Sequence, residues 1–301
     1  MNNSYTQRVV VTFTTLPDRY TFLQNSVKSI LNQTLHVDAI YAAIPKRCTR
    51  LNKEYPPVPK EITDICTVIV PDVDYGPITK IYGGLIAEAD PETIIISCDD
   101  DVIYHPEFIQ TIVECSKKSP NAAICGTGAI ISRGLYLVSI NTTLSQFRWW
   151  NWLIGFDLDR DNGRDVDVIF GVAGVLYRRK FFPSNDNLEK ELFSLSLNND
   201  ALFHNDDIVI SGFLSKNGIK RKVFHDIPSV VVNSTGKDAL SADFLLNMKR
   251  LHESIQYSKT QGLFPTMEPL AIDETATGRA IILIFLLILI VAIIIIAFPT
   301  L

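Results

Sequence analysis

The stretch Ile94-Ile95-Ile96-Ser97-Cys98-Asp99-Asp100-Asp101 runs from a buried-type strand straight into three carboxylates. Adjacent negative charges repel one another at neutral pH, so a fold that gathers three of them at a strand end needs a cation to neutralise them. A divalent metal meets that need. Carboxylate oxygens are hard ligands that suit manganese or magnesium, ions that keep several waters and share their remaining positions with a substrate's phosphates. Asp-x-Asp at the tip of an apolar strand therefore reads as a site for a metal and a phosphate. The plainer alternative is a solvated acidic turn leading into a helix that starts near Pro106, since the positive end of a helix favours anions.

A second carboxylate pair, Asp206 and Asp207, follows Asn205 in the first turn of a helix expected over residues 206–216. The helix dipole would stabilise both with no catalytic task. The chemical reading is a general base that accepts the proton of an attacking hydroxyl, with one carboxyl's pKa raised by its neighbour's charge. Asp207, Ile210 and Leu214 share a helix face expected to meet the sheet, which favours Asp207 over Asp206 as the base.

The elements that must position these groups alternate through the first half. Strands are expected at residues 9–14, 39–44, 67–70 and 93–98, and helices at 20–33, 78–89 and 106–117, the last with Phe108, Ile109, Ile112 and Val113 on one face. Such alternation builds βαβ units and a mostly parallel sheet, with ligands at the carboxyl ends of its strands. The second half is less regular: strands at 134–140, 220–224 and 229–232 flank an apolar, glycine-containing stretch at 166–177. The expected fold is therefore a single Rossmann-like α/β domain over residues 1–257.

Taken in order, Thr12-Phe13-Thr14-Thr15 with Arg19, Tyr75-Gly76-Pro77-Ile78-Thr79-Lys80, the Asp99–Asp101 run and Asn205-Asp206-Asp207 resemble a GT-A glycosyltransferase. The flavour is that of the small sugar-nucleotide transferases of bacteria and large algal viruses. The resemblance implies that a nucleotide-diphosphate sugar is the donor, that Asp99 and Asp101 meet its diphosphate through manganese or magnesium, and that Asp101 is the more direct ligand. It implies that Thr14 and Arg19 lie by the nucleotide, Lys80 by the diphosphate or ribose, and Asp100 by the ribose or behind the metal ligands. It also implies an inverting displacement onto an acceptor hydroxyl of a glycan or glycoprotein, with Asp206 or Asp207 as base, and offers His225 as a third metal ligand. The segment from Gly171 to Gly174 and on through Arg178 and Arg179 is similar to the family's substrate floor, a plain turn with a solvated basic face being the alternative. Trp149, Trp150 and Trp152 suit core packing first, with stacking on sugar rings and a membrane interface as the alternatives.

Residues 280–298 form a run of 19 apolar side chains, the length of a membrane-crossing helix, with residues 258–279 as its tether. With a polar start lacking a secretory stretch, the expectation is a single-pass C-terminal anchor and a catalytic part in the cytosol. Five cysteines without a Cys-x-x-Cys pair point to reduced thiols, and the acceptor patterns at Asn141 and Asn233 would stay unused there. A net charge of −5 without a basic stripe argues against nucleic acid as a partner. Two rival functions remain. A haloacid-dehalogenase-type phosphohydrolase also carries Asp-x-Asp after an apolar strand, but on the first strand of its fold. A membrane-tethered carbohydrate-binding module would leave both carboxylate groups without a task.

Overall fold

A computed structural model describes residues 7–131, 137–141, 163–232 and 244–265. The three tryptophans and the apolar run 280–298 lie outside the described residues, and no helix among those described is long and apolar enough to cross a membrane.

Eight strands form one sheet: β1 (Val9–Phe13), β2 (Ala39–Ala43), β3 (Thr67–Ile69), β4 (Ile94–Ser97), β5 (Ala122–Cys125), β6 (Arg164–Asp165), β7 (Val175–Arg178) and β8 (Lys220–Val223). Their spatial order is β6-β8-β5-β7-β4-β1-β2-β3. Only β7 and β6 run against the others, so the sheet is mixed but mostly parallel. The central strands β1 and β4 are wholly buried, which explains why they read as unbroken β-branched runs with no polar alternation. Side-chain alternation divides them between two cores. Val9, Val11, Phe13, Ile94 and Ile96 pack under helices α1 (Tyr20–Leu31) and α3 (Phe108–Lys118). Val10 and Ile95 pack on the opposite face under α2 (Tyr82–Ala87), α4 (Asp206–Lys216) and α5 (Phe244–Thr260).

The structure departs from the sequence pattern at four places. The expected helix over 78–89 is instead a 3₁₀ turn, Gly76–Ile81, with Pro77 at its second position, followed by the short α2. Residues 122–131 hold two strands that no alternation announced, β5 and Thr127–Ile131, the latter pairing with Leu137–Asn141 and Val168–Ile169 in a small separate sheet. The stretch 166–177 is broken: Gly174 takes φ +72, reversing the chain so that β7 enters the sheet antiparallel between β4 and β5. Finally, α5 runs through the boundary expected at residue 257. Ser258, Leu263 and Phe264 are buried, and Leu263 and Phe264 pack so close to Gly212 of α4 that an added Cβ there would lie 2.9 Å from Leu263. The folded unit thus continues into the segment expected to be a tether.

The 3₁₀ turn is fastened to the sheet by one hydroxyl. Thr12 Oγ1, fully buried on β1, donates to the Lys80 carbonyl at 2.7 Å and accepts from the Gly84 amide at 3.1 Å. Thr12→Val keeps the shape and strands both backbone groups, so it should destabilise the fold by about 2 kcal/mol, read as a lower urea midpoint with an unchanged slope.

Candidate active site

Asp99, Asp100 and Asp101 leave β4 at its carboxyl end, beside the end of β1, and six hydrogen bonds with four neighbouring side chains fix the turn they make. The Ser26 hydroxyl of α1 lies 2.8 Å from the Asp100 carbonyl and 2.7 Å from that of Val102. Tyr104 Oη accepts from the Asp99 amide at 2.8 Å. Thr15 Oγ1 donates to Asp100 Oδ2 at 2.6 Å. Arg19 Nη1 reaches two carboxylates at once, Asp100 Oδ1 at 3.0 Å and Asp101 Oδ2 at 3.1 Å. The Asp100 carboxyl is buried and turned toward β1, and burial raises its pKa even against Arg19 and Thr15. Asp100 therefore anchors the loop as well as lining the cleft with Asp99 and Asp101.

Lys80 joins the two carboxylate groups. Its buried ammonium donates to Asp99 Oδ1 at 2.6 Å and lies 3.0 Å from Asp206 Oδ2, which has no hydrogen-bond partner of its own. Burial alone would lower the lysine's pKa, but Asp206, Asp99 and Asp207 outweigh it and hold the ammonium protonated well above its usual range. Asp207 Oδ1 accepts from the Gly171 amide at 2.9 Å. A Cβ at Gly171 would stand 2.9 Å from Lys80 Nζ and 3.1 Å from Asp207 Oδ1, so a side chain there would press on both charged tips. Burial, then the charge of Asp206, push the Asp207 carboxyl well above the ordinary aspartate range. The helix-face criterion that favoured Asp207 does not discriminate: α4 is buried nearly all round, and both first-turn carboxylates reach the cleft.

The cleft itself, about 510 Å³, opens at the carboxyl ends of β1, β2 and β4. Thr14, Arg19, Lys80, Asp99, Asp100, Asp101, Asp206 and Asp207 all line it, so one sheet edge gathers residues from four separate parts of the sequence. The Thr14 hydroxyl is spoken for, donating to the Ala43 carbonyl at 2.7 Å. His225 is not among the lining residues. It follows β8, three strand positions from β4, about 14 Å at ordinary strand spacing. There the chain turns toward α3, with Asp226 Oδ2 3.8 Å from Lys118 Nζ and Lys118 over the Phe224 ring. No group of three or more His, Cys, Asp or Glu side chains gathers in a metal-holding arrangement among the described residues. The substrate-floor expectation is corrected in part. Gly171 does approach the cleft, but Gly174 gives way to the Phe108 ring, and Arg178 and Arg179 are buried at the opposite end of β7, bonded to the carbonyls of Pro120 and Glu88.

Sequence reasoning missed Ser26, Tyr104 and Tyr55, whose hydroxyl donates to the Thr15 carbonyl at 2.7 Å. Ser26 had a signal, a hydroxyl inside the apolar stripe Leu23, Val27 and Ile30 of α1. Tyr55 had none, since the short hairpin that delivers it, Arg47–Cys48 with Lys53–Glu54, is set by pairing alone. No known protein family and no curated protein matches the chain.

Between the ordinary aspartate value of 3.8 and its raised value, Asp207 keeps a proton in the folded state that the unfolded chain has released. Its contribution to stability is therefore full below pH 4 and declines as pH rises through that window. Asp207→Asn mimics the protonated form and should unfold at the same temperature as wild type near pH 4 and at a higher one at pH 8. Calorimetric scans across pH would show it; a variant less stable at pH 8 would mean that Asp207 is ionised and well paired.

Proposed function

We propose that the protein is a metal-dependent GT-A-type glycosyltransferase that moves a sugar from a nucleotide-diphosphate sugar to an acceptor hydroxyl with inversion. The observation that carries this reading is the cleft at the strand ends where the Asp99–Asp101 run and the Asp206–Asp207 pair face one another across Lys80. Six aspartates (74, 99, 100, 101, 206 and 207) line it against Arg19, Arg50 and Lys80. Such a surplus of negative charge repels a diphosphate unless a divalent cation enters with it.

The donor set fits manganese or magnesium, which take one or two protein carboxylates and complete their shell with water and phosphate. Asp101, with Asp99, would hold the ion, and His225 takes no part. When bound, the ion neutralises charge on the departing diphosphate. The chain's own residues do the rest. Lys80 and Arg19 place positive charge beside the phosphates, Thr14 and the Tyr55 side of the cleft bound the nucleotide, and Asp100 keeps the acidic turn rigid. Asp207 accepts the proton of the attacking hydroxyl, its raised pKa bringing it toward the operating range of a base. Phe170 and Val172 offer an apolar wall beside it for the face of a sugar ring. The run 280–298 would tether this domain to a membrane with its cleft on the cytosolic side.

The two carboxylate groups should separate in kinetics. Asp207→Asn should lower turnover by about a hundredfold or more with donor affinity nearly intact, whereas Asp101→Ala should lose manganese-dependent donor binding. Calorimetry and turnover on a panel of uridine and guanosine diphosphate sugars measure both. Near-wild-type turnover in both Asp206→Asn and Asp207→Asn would remove the base assignment, and phosphate release from simple monoesters would favour the phosphohydrolase.

A further inference from the structure

Among the described residues Lys80 alone contacts both carboxylate groups: Asp99 Oδ1 lies 2.6 Å and Asp206 Oδ2 3.0 Å from the same nitrogen, and Asp207 Oδ1 lies just beyond, across Gly171. Lys80 is 8% exposed and Asp206 8% exposed, so water screens neither. Asp206 Oδ2 is buried with no hydrogen-bond partner, held only by the charge of the ammonium. An oxygen left in that condition would take a fully positive ligand over a neutral one. The carboxylate expected to assist a divalent cation, Asp99, is thus already neutralised by the chain itself. A cation that arrives alone must compete with a charge tethered at 2.6 Å.

We infer that Lys80 is the resident counter-ion of this carboxylate box and that its ammonium makes cation and diphosphate bind as a coupled pair. This rests on the reading of the cleft as a metal and diphosphate site. The diphosphate offers Lys80 new anionic partners, and as the ammonium turns to them Asp99 is released. The coupling is reciprocal, so each ligand raises the affinity for the other. In the absence of ligand the same ammonium keeps Asp99 and Asp206 from facing one another unneutralised, which lets the cleft hold its shape while empty. Removing the charge of Lys80 should leave carboxylates from β4 and α4 facing each other with nothing between them, and convert the box into a site for a divalent cation alone.

The test is calorimetric titration of manganese into the full-length chain in detergent, with and without uridine or guanosine diphosphate, for wild type and Lys80→Met. Wild type should bind manganese weakly alone and more tightly with the diphosphate. Lys80→Met should bind manganese alone by about tenfold or more over wild type, an ordinary size for coupling between ligands, and the diphosphate should add little. Manganese should also raise the unfolding temperature of Lys80→Met far more than that of wild type. A folded Lys80→Met with wild-type affinity for manganese overturns the inference. If that variant fails to fold even with manganese, the double variant Lys80→Met with Asp206→Asn removes one charge of each sign and must still bind manganese more tightly than wild type through Asp99; equal binding overturns the inference in the same way. The two readings fail separately. Gain of manganese binding in Lys80→Met with no diphosphate sugar bound by wild type sinks the transferase and keeps the counter-ion, and the reverse pattern does the opposite.

Discussion

The site depends on the burial of a single ammonium. Lys80 reaches the cleft because Thr12 on β1 ties its carbonyl to the sheet, and it stays charged there because carboxylates from the end of β4 and the start of α4 surround it. A buried charge deprived of its partner costs about 3–5 kcal/mol, so none of these elements can move without the others. Gly171 completes the arrangement by leaving room for the ammonium and lending its amide to Asp207. Packing of α2 and α4 against the sheet thereby becomes a constraint on charge geometry and not only on apolar area.

The two carboxylate groups are stabilised in different ways, and the difference fits their proposed tasks. Asp100 and Asp101 share Arg19, with Thr15 adding a hydroxyl, so their turn is held by directed bonds. Asp207 instead has one backbone amide, a charged neighbour and little solvent, which leaves its proton more tightly held than in water. Folding gains little from such a group, and a proton acceptor near neutrality gains a good deal. Its value lies in the chemistry proposed for it, in keeping with the tendency of functional sites to carry the locally unfavourable residues of a fold.

The mixed sheet also explains the open side of the cleft. β7 enters antiparallel beside β4, so the turn that precedes it, Gly171–Ala173, lies at the same edge as Asp99 and faces the first turn of α4. A strictly parallel neighbour would have brought its carboxyl end there instead, and Gly171 would lie at the far edge of the sheet. The reversal at Gly174, made possible by its positive φ and by the Phe108 ring that fills the space a side chain would need, is thus what gives Asp207 its backbone partner.

Much of this was legible in the sequence, because it follows from local pattern. The β-branched runs at β1 and β4 could bury both faces only at the centre of a sheet, and three carboxylates at the end of one of them had to lie at its carboxyl edge. Asp206 and Asp207 were placed in a helix's first turn by the residues around them. What the sequence could not decide was which charges meet. Lys80 and Asp206 are brought to 3.0 Å by the packing of the 3₁₀ turn and α4 on one face of the sheet, and His225 is carried away from Asp99 by the insertion of β7 and β5 between their strands. Residue type and spacing set each group's local backbone and chemistry; the partners that fix its charge state lie far off in the chain, and only strand order and helix packing bring them within the few ångströms over which a buried charge is neutralised.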